Sequence, residues 1–334
     1  MGRRILVVYT GGTLGMQLTE RGWEPGADLE GWLTGLVDEQ LPGLDWQLVT
    51  LDPLIDSSNA GPQDWQRIVQ TVLDHRDDAD AFVVLHGTDT LGFSAAATHF
   101  ALASLGKAVV LTGAQRSLVV DDSDAPGNAL GALRCALDER LDRVALFFDG
   151  TLMVPHHATK VSSEDDHAFD TVNVPPLAVV GEDGELVFNP LSQTHDPGRA
   201  TPLGELRPYR PTDLVVLTLH PGLTAQRVRS LLTPPPEALV LRAYGVGNAP
   251  DNDPELLEAL AQASAAGTVV VVTTQCPHGG VQLGTYAVSQ GLLATGAVAG
   301  GDLTTDAIVA WLSHLLAQGL APEQIRERIQ RSLG

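Results

Sequence analysis

Arg4-Ile5-Leu6-Val7-Val8-Tyr9-Thr10-Gly11-Gly12-Thr13 is a short apolar run that stops at a pair of glycines. A run of this kind reads as a strand buried on both faces, and the glycines as a tight turn at its carboxyl end. The same pattern recurs downstream. Further strands are expected at Trp46–Leu51, Ala81–Leu85, Ala108–Thr112 and Val144–Phe148, and helices at Leu29–Gln40, Gln63–His75, Gly92–Leu105 and Asn128–Arg140. Near-continuous apolar strands alternating with helices indicate an α/β protein whose parallel sheet is covered on both sides.

The character changes between Leu191 and Thr212, where LSQTHDPGRATPLGELRPYRPT holds four prolines and no apolar periodicity. That stretch is expected to connect two domains. The alternation then resumes, with strands at Asp213–Leu219, Ala238–Ala243 and Thr268–Thr273 and helices at Pro254–Ala266, Thr304–Gln318 and Pro322–Leu333. The expected organisation is therefore a larger N-terminal parallel-sheet domain over residues 1–190, a linker over 191–212 and a smaller C-terminal α/β domain over 213–334. A length of 334 residues suits two domains.

Acidic residues number 41 against 20 basic, a formal charge of −21. A field of that sign repels phosphate backbones and anionic lipid, which argues against nucleic-acid partners and against docking on a membrane. The opening apolar run is too short for a signal-peptide core, and no stretch of about 18 apolar residues would span a bilayer. Cys135 and Cys276 are the only cysteines, so no disulfide framework is implied. These features lead us to expect a soluble cytoplasmic protein. Of the 20 basic residues 18 are arginine, and the lysines are Lys107 and Lys160. Where charge alone would serve, this chain uses arginine. A retained lysine therefore suggests chemistry that needs an ammonium able to shed its proton.

In open parallel sheets, ligands bind beyond the carboxyl ends of the strands. Four segments deserve weighing on that basis. The first is Thr10-Gly11-Gly12-Thr13, which sets hydroxyls on a backbone able to approach a ligand. Its glycines do not spell G-x-G-x-x-G and no lysine is near for a Walker loop, so plain turn and functional loop stand about even. The second, Asp56-Ser57-Ser58-Asn59, is either a capped turn or a holder for a small polar ligand. The third, His86-Gly87-Thr88-Asp89-Thr90, directly follows a strand. Capping the next helix needs one polar residue, and four gather here, which favours function. The fourth is Ala158-Thr159-Lys160. The nearby His156, His157, Glu164, Asp165, Asp166 and His167 lack the ligand spacing of a zinc site, and a polar surface loop is the better reading than a metal. No G-x-S-x-G elbow occurs, so a serine hydrolase is unsupported.

Thr13 in Tyr9-Thr10-Gly11-Gly12-Thr13, Ser57-Ser58, His-Gly-Thr-Asp-Thr at 86–90 and Lys160 stand in an order and spacing that resemble the bacterial-type L-asparaginases, within them the cytoplasmic type I branch. Leu217–Gly222, Arg242–Pro250 and Thr274-Gln275-Cys276 resemble that branch's C-terminal domain. The likeness runs over nearly the whole chain. It implies a two-domain asparaginase-like fold, assembly into dimers or dimers of dimers, and hydrolysis of L-asparagine to L-aspartate and ammonia with no metal or organic cofactor. By matching position it makes Thr13 the nucleophile and Thr88 the second catalytic threonine. It has Lys160 activate Thr88 or the water, Asp89 bind the substrate α-amino group, and Ser57 and Ser58 hold the α-carboxylate and its surroundings. Asn248 falls where the family reaches into the neighbouring subunit's site. Thr159, Arg242 and Cys276 fall near a second, regulatory asparagine site of the type I branch. Two positions depart from the pattern. Trp23 stands where relatives often carry a loop tyrosine, so a hydroxyl from the partner subunit's Tyr286 is expected to substitute. Asn59 stands where many relatives carry an aspartate.

Three rivals remain. A glutaminase-asparaginase would share these motifs. The amidotransferase subunit that releases ammonia for tRNA-dependent glutamine synthesis normally carries an extra N-terminal domain, and its RNA partner suits a charge of −21 poorly. A non-catalytic amino-acid sensor would need Asp89 but neither Thr13 nor Lys160.

Overall fold

The structure, a computed structural model, describes residues 3–190, 205–250, 252–284 and 287–333. The chain divides into two compact units, Met1–Leu206 and Arg207–Gly334. In the first unit the elements run β1 (Arg4–Tyr9), a hairpin of β2 (Met16–Thr19) and β3 (Gly22–Pro25), α1 (Leu29–Gln40), β4 (Asp45–Thr50), α2 (Pro62–Asp74), β5 (Ala81–Leu85), α3 (Leu91–Leu102), β6 (Val109–Thr112), α4 (Ala125–Leu137) and β7 (Val144–Phe148). There follow five strands of three residues each: β8 (Thr151–Met153), β9 (Ala158–Lys160), β10 (Phe169–Thr171), β11 (Ala178–Val180) and β12 (Leu186–Phe188).

Eight strands form one sheet in the order β12-β11-β8-β7-β6-β5-β1-β4. The five from β4 to β7 are mutually parallel, as the apolar runs imply, and all but β1 follow a helix. Beyond β7 the sheet changes sense, and β8, β11 and β12 extend it antiparallel. The reversal is built locally. Asp149 and Gly150 both take positive φ between β7 and β8, which turns the chain back on itself. The core explains why the central strands are apolar throughout. Ile5, Val7 and Tyr9 of β1 join one buried cluster with Leu33 of α1, Val83 and Leu85 of β5 and Phe147 of β7. Leu6 and Val8, which point to the opposite face, are equally buried. Helix α4 lies so close to β7 that a Cβ at Gly131 would sit 2.1 Å from the Phe147 ring.

Strand order fixes where a ligand can enter. From β1 the chain moves one way to β4, then returns to place β5 on the other side of β1 and continues through β6 to β7. The loops leaving β1 and β5 thus part in opposite directions and leave a crevice at their carboxyl ends. Thr13 and Thr88 lie in those two loops.

The second unit carries β13 (Leu214–Thr218), α5 (Ala225–Leu231), β14 (Ala238–Ala243), α6 (Pro254–Ala265), β15 (Val269–Thr274), α7 (Ala287–Ala294), β16 (Val298–Ala299), α8 (Thr305–Ala317) and α9 (Pro322–Leu333). Its four strands are parallel and follow chain order, β13-β14-β15-β16, over a core of its own. Among the described residues no helix is long and apolar enough to cross a membrane.

Candidate active site

Three short 3-10 turns, Thr13–Gly15, Ser57–Asn59 and Thr88–Thr90, meet at the crevice. Glycines let them touch. Gly12 has φ 96°, and a Cβ there would lie 2.3 Å from the Gly87 Cα. A Cβ on Gly87 would in turn strike the Ser57 hydroxyl at 2.4 Å. Thr13 and Thr88 each follow one member of the Gly12–Gly87 contact, so both threonines leave the same backbone crossing. The Thr10 amide and hydroxyl both donate to Leu85 O at 2.9 Å, and Ile55 N donates to Thr10 O at 2.6 Å. Thr90 Oγ1 donates to Ser57 O at 2.7 Å. Thr90 is the N-cap of α3, yet its side chain makes no capping bond. It ties two site loops together instead.

At Asp56-Ser57-Ser58-Asn59 the structure shows the capped turn. Asp56 caps its own turn, accepting from the Ser58 amide at 3.0 Å, the Ser58 hydroxyl at 2.9 Å and the Asn59 amide at 2.7 Å. The Ser58 side-chain bond leads the causes that hold the Asp56 carboxyl below its ordinary range. Ser57 alone is buried and faces the Gly87 loop.

Lys160 ends β9, which pairs with β10. Its Nζ donates to Thr88 Oγ1 at 2.9 Å and lies 3.4 Å from Asp89 Oδ1. The Lys160 side chain is 24% exposed and that of Asp89 62%, so the carboxylate stays open to a second cation. Thr88 itself is buried. Its hydroxyl accepts from Lys160 and donates to Gln115 Oε1 at 3.0 Å. A hydroxyl, an ammonium and a carboxylate thus stand together at the end of β5, the arrangement a hydrolase needs to move protons and to grip a substrate amine.

His86 sets the attitude of this loop. It is fully buried, and burial pushes its imidazole below the usual range, so it is neutral near pH 7. Its Nδ1 lies 2.7 Å from Gly87 O, which can only accept, so Nδ1 carries the proton and Nε2 accepts from Ser94 Oγ at 3.1 Å. Across a trans peptide the carbonyl and the next N–H point in opposite directions. Drawing Gly87 O toward the buried ring therefore turns the Thr88 N–H away from it.

Trp23 lies on β3, opposite Leu18 of β2, and both are exposed. Tyr286 lies outside the described residues. The candidate metal group is dispersed: His156 and His157 are buried, whereas Asp166 lies on the surface paired with Arg116. Among the described residues no three His, Cys, Asp or Glu side chains are placed to hold a metal ion. In the second unit Arg242 is the penultimate residue of β14, and Asn248 closes a turn with its backbone N–H donating to Tyr244 O at 2.8 Å. Arg242 Nε, Asn248 Oδ1 and Thr273 Oγ1 are buried without a hydrogen-bond partner among the described residues. Cys276 is exposed and its amide donates to Thr274 Oγ1 at 3.0 Å. Thr159 lies on β9, opposite Asp170.

The sequence reading passed over Gln115. The available signal was its position, since Gly113-Ala114-Gln115 leaves β6 as the other site loops leave β1 and β5. Its amide carries neither the hydroxyl nor the carboxylate that marked the other site loops.

A two-unit α/β protein with a threonine–lysine–aspartate group at a strand-switch crevice is the architecture of an amide hydrolase, and comparison agrees. Residues 4–192 match the family "Asparaginase, N-terminal", and residues 213–329 match the "Glutaminase/Asparaginase C-terminal domain". The chain belongs to the asparaginase family. It is 39% identical over 333 residues to "L-asparaginase 1" of Escherichia coli strain K12, covering 99% of this chain and 97% of that protein. Among solved structures it resembles L-asparaginase I from Vibrio cholerae, with a TM-score of 0.86, 34% identity and coverage of 99% and 98%. It also resembles the thermostable L-asparaginase from Thermococcus kodakarensis, with a TM-score of 0.85, 30% identity and the same coverage.

Proposed function

We propose that this protein hydrolyses L-asparagine to L-aspartate and ammonia through a covalent intermediate on Thr13. The observation that carries the reading is the bond from Lys160 Nζ to the buried Thr88 hydroxyl, with Asp89 beside it. An amide resists direct attack by water, and an acyl-enzyme divides the work into two easier steps. Thr13 Oγ1 bonds to the side-chain carbonyl carbon of asparagine as the C–N bond breaks, and the threonine proton leaves with the nitrogen as ammonia. Water then attacks the resulting aspartyl ester. The Thr88–Lys160 pair takes the water's proton, the ester C–O bond breaks, and Thr13 recovers a proton. Backbone amides at Gly12, Thr13 and Thr88–Asp89 are the donors for the tetrahedral oxyanions. Asp89 receives the substrate α-ammonium, which restricts the substrate to a free amino acid. Ser57 and Ser58 bind around its α-carboxylate, with Ser57, the buried one, closer to the Gly87 loop. Asn248 and Tyr286 serve the neighbouring subunit's site in a dimer or dimer of dimers, and the enzyme works in the cytoplasm, as the type I resemblance implies.

Ammonia release tests the reading. Asparagine should be turned over faster than glutamine, and Thr13→Ala should lose about 10³-fold or more of kcat. Comparable rates on glutamine would favour the glutaminase-asparaginase alternative. Binding of asparagine without turnover would favour the sensor.

We further propose that Arg242 and Cys276 attend a second amino-acid site in the second unit. Arg242 Nε and Thr273 Oγ1, buried in the second unit without a hydrogen-bond partner among the described residues, support it. An amino-acid carboxylate would satisfy such a guanidinium.

A further inference from the structure

Thr88 has one hydroxyl proton and two polar neighbours. In the structure that proton goes to Gln115 Oε1 at 3.0 Å, while the oxygen accepts from Lys160 Nζ at 2.9 Å. In that arrangement Lys160 can only give to Thr88, and it cannot take the hydroxyl proton that a relay must pass. Meanwhile Gln115 Nε2, the other half of the same amide, is buried without a partner among the described residues. An orphaned buried N–H is the rarer and costlier omission, and an under-satisfied carbonyl oxygen is better tolerated.

Turning the Gln115 amide by half a revolution about its last bond resolves both points. Nε2 would then donate to Thr88 Oγ1, and with Lys160 as the neutral amine the Thr88 proton would be free to point at its Nζ. The backbone is anchored while the amide turns. Asp124 accepts from the Gln115 amide through Oδ2 and the Arg116 amide through Oδ1, each at 2.8 Å, and Asn128 Nδ2 donates to Gly113 O at 3.0 Å. Gly113 brings this loop against the His86 loop, since a Cβ there would lie 2.2 Å from His86 O. The side chain is thereby aimed at Thr88 from a fixed base.

We propose that Gln115 is a positioning residue whose amide orientation sets the direction of the Thr88 proton, and so switches the Thr88–Lys160 pair between a resting state and one that accepts a proton from the substrate side. The inference rests on the relay reading above and adds to it a residue that acts through Thr88. Atoms balance with water alone: Lys160 gives one ammonium proton to solvent water, one O–H turns from Gln115 Oε1 toward the freed lone pair on Lys160 Nζ, and one N–H of Gln115 takes its place on Thr88 Oγ1.

Two variants of the full-length enzyme test it, Gln115→Met, which keeps length but has no amide, and Gln115→Glu, which can accept from Thr88 but in its ionised form cannot donate. Steady-state kinetics on asparagine across pH should show kcat of Gln115→Met lower by about tenfold or more, with KM changed by no more than about twofold. The acid limb of kcat/KM in Gln115→Glu should move to higher pH by about one unit, because the new carboxylate favours the protonated lysine. Values of kcat within about twofold of the parent and unmoved limbs in both variants would overturn the proposal. So would a loss carried by KM alone with an unmoved limb. If Gln115→Met does not fold, the limb of Gln115→Glu decides. Thr88→Val and Lys160→Met separate the two claims: if they retain turnover, the relay itself fails. If they lose it while both Gln115 variants match the parent, only the role of Gln115 fails.

Discussion

His86 shows how one side chain can carry both stability and geometry. Its neutral ring holds the Gly87 carbonyl, and burial keeps the proton off Nε2. In the unfolded chain a histidine takes up a proton near pH 6.5, whereas the folded protein resists doing so, and the unfolded state therefore binds more protons as pH falls below that value. Stability is full above about pH 6.5 and is lost below it at up to about 1.4 kcal/mol per unit from this residue. Urea unfolding at about pH 5.5, 6.5 and 7.5 should show a shallower acid loss in His86→Asn, whose amide can still donate to Gly87 O. Identical slopes would remove His86 from the effect. The two lysines make a related point. Scarcity of lysine drew attention to Lys160, and it stands on the Thr88 hydroxyl. Lys107 carried the same signal, yet its ammonium donates to Arg76 O and to Ala79 O at 2.7 Å, which is structural work at the end of a helix. Composition flags a residue that must be lysine but does not say which of an ammonium's uses it serves.

At the scale of elements, the longer central strands and helices were legible because each spans enough residues for an apolar pattern to show. β1, β5, β7 and α1 fall where the pattern puts them. The β2–β3 hairpin and the run β8 to β12 did not show, since strands of three or four residues complete too few alternations to stand out. The three-stranded antiparallel extension of the large sheet went unseen for that reason, though the switch at Asp149-Gly150 is a recognisable turn pair. The site loops were legible as clusters of hydroxyls after strands. Their mutual contact was not, because it depends on glycine backbones meeting across 70 residues or more of sequence. Gly12→Ala tests that contact. A methyl group at φ 96° and 2.3 Å from the Gly87 Cα would drive the Thr13 and Thr88 loops apart. We expect kcat to fall by about 10²-fold, the usual result of moving a reacting group by about 1 Å. Thermal unfolding should show a loss of about 1–3 kcal/mol from backbone strain alone. Gly35→Ala, in an exposed helical position with open space around it, should instead gain about 0.5–1 kcal/mol. Unchanged kcat in Gly12→Ala would show that the two loops tolerate separation.

For the whole molecule, the proline-rich change of character in the sequence lies across the division at Leu206 and Arg207. Each unit has a sheet and core of its own, and each presents polar groups at the carboxyl ends of its strands. In the second unit the buried Arg242 Nε and Thr273 Oγ1, without a hydrogen-bond partner among the described residues, were invisible to sequence reading, since orphaned atoms are a property of packing. If they mark a regulatory amino-acid site in an oligomer, the rate should rise sigmoidally with asparagine, and Arg242→Ala should make the curve hyperbolic with a coupling loss of about 1–3 kcal/mol. A hyperbolic curve in the parent, insensitive to Arg242→Ala and Cys276→Ala, would contradict it.

The chemistry as a whole turns on whether the Thr13 oxygen becomes bonded to the substrate's acyl carbon. Intact-mass spectrometry of enzyme quenched during turnover, or exposed to a diazo-ketone analogue of asparagine, followed by peptide mapping, reads this directly. A single adduct mapped to Thr13, absent in an inactive Thr13→Ala variant, is the expected result. Turnover with no adduct, an adduct on another residue, or an active Thr13→Ala enzyme would contradict it.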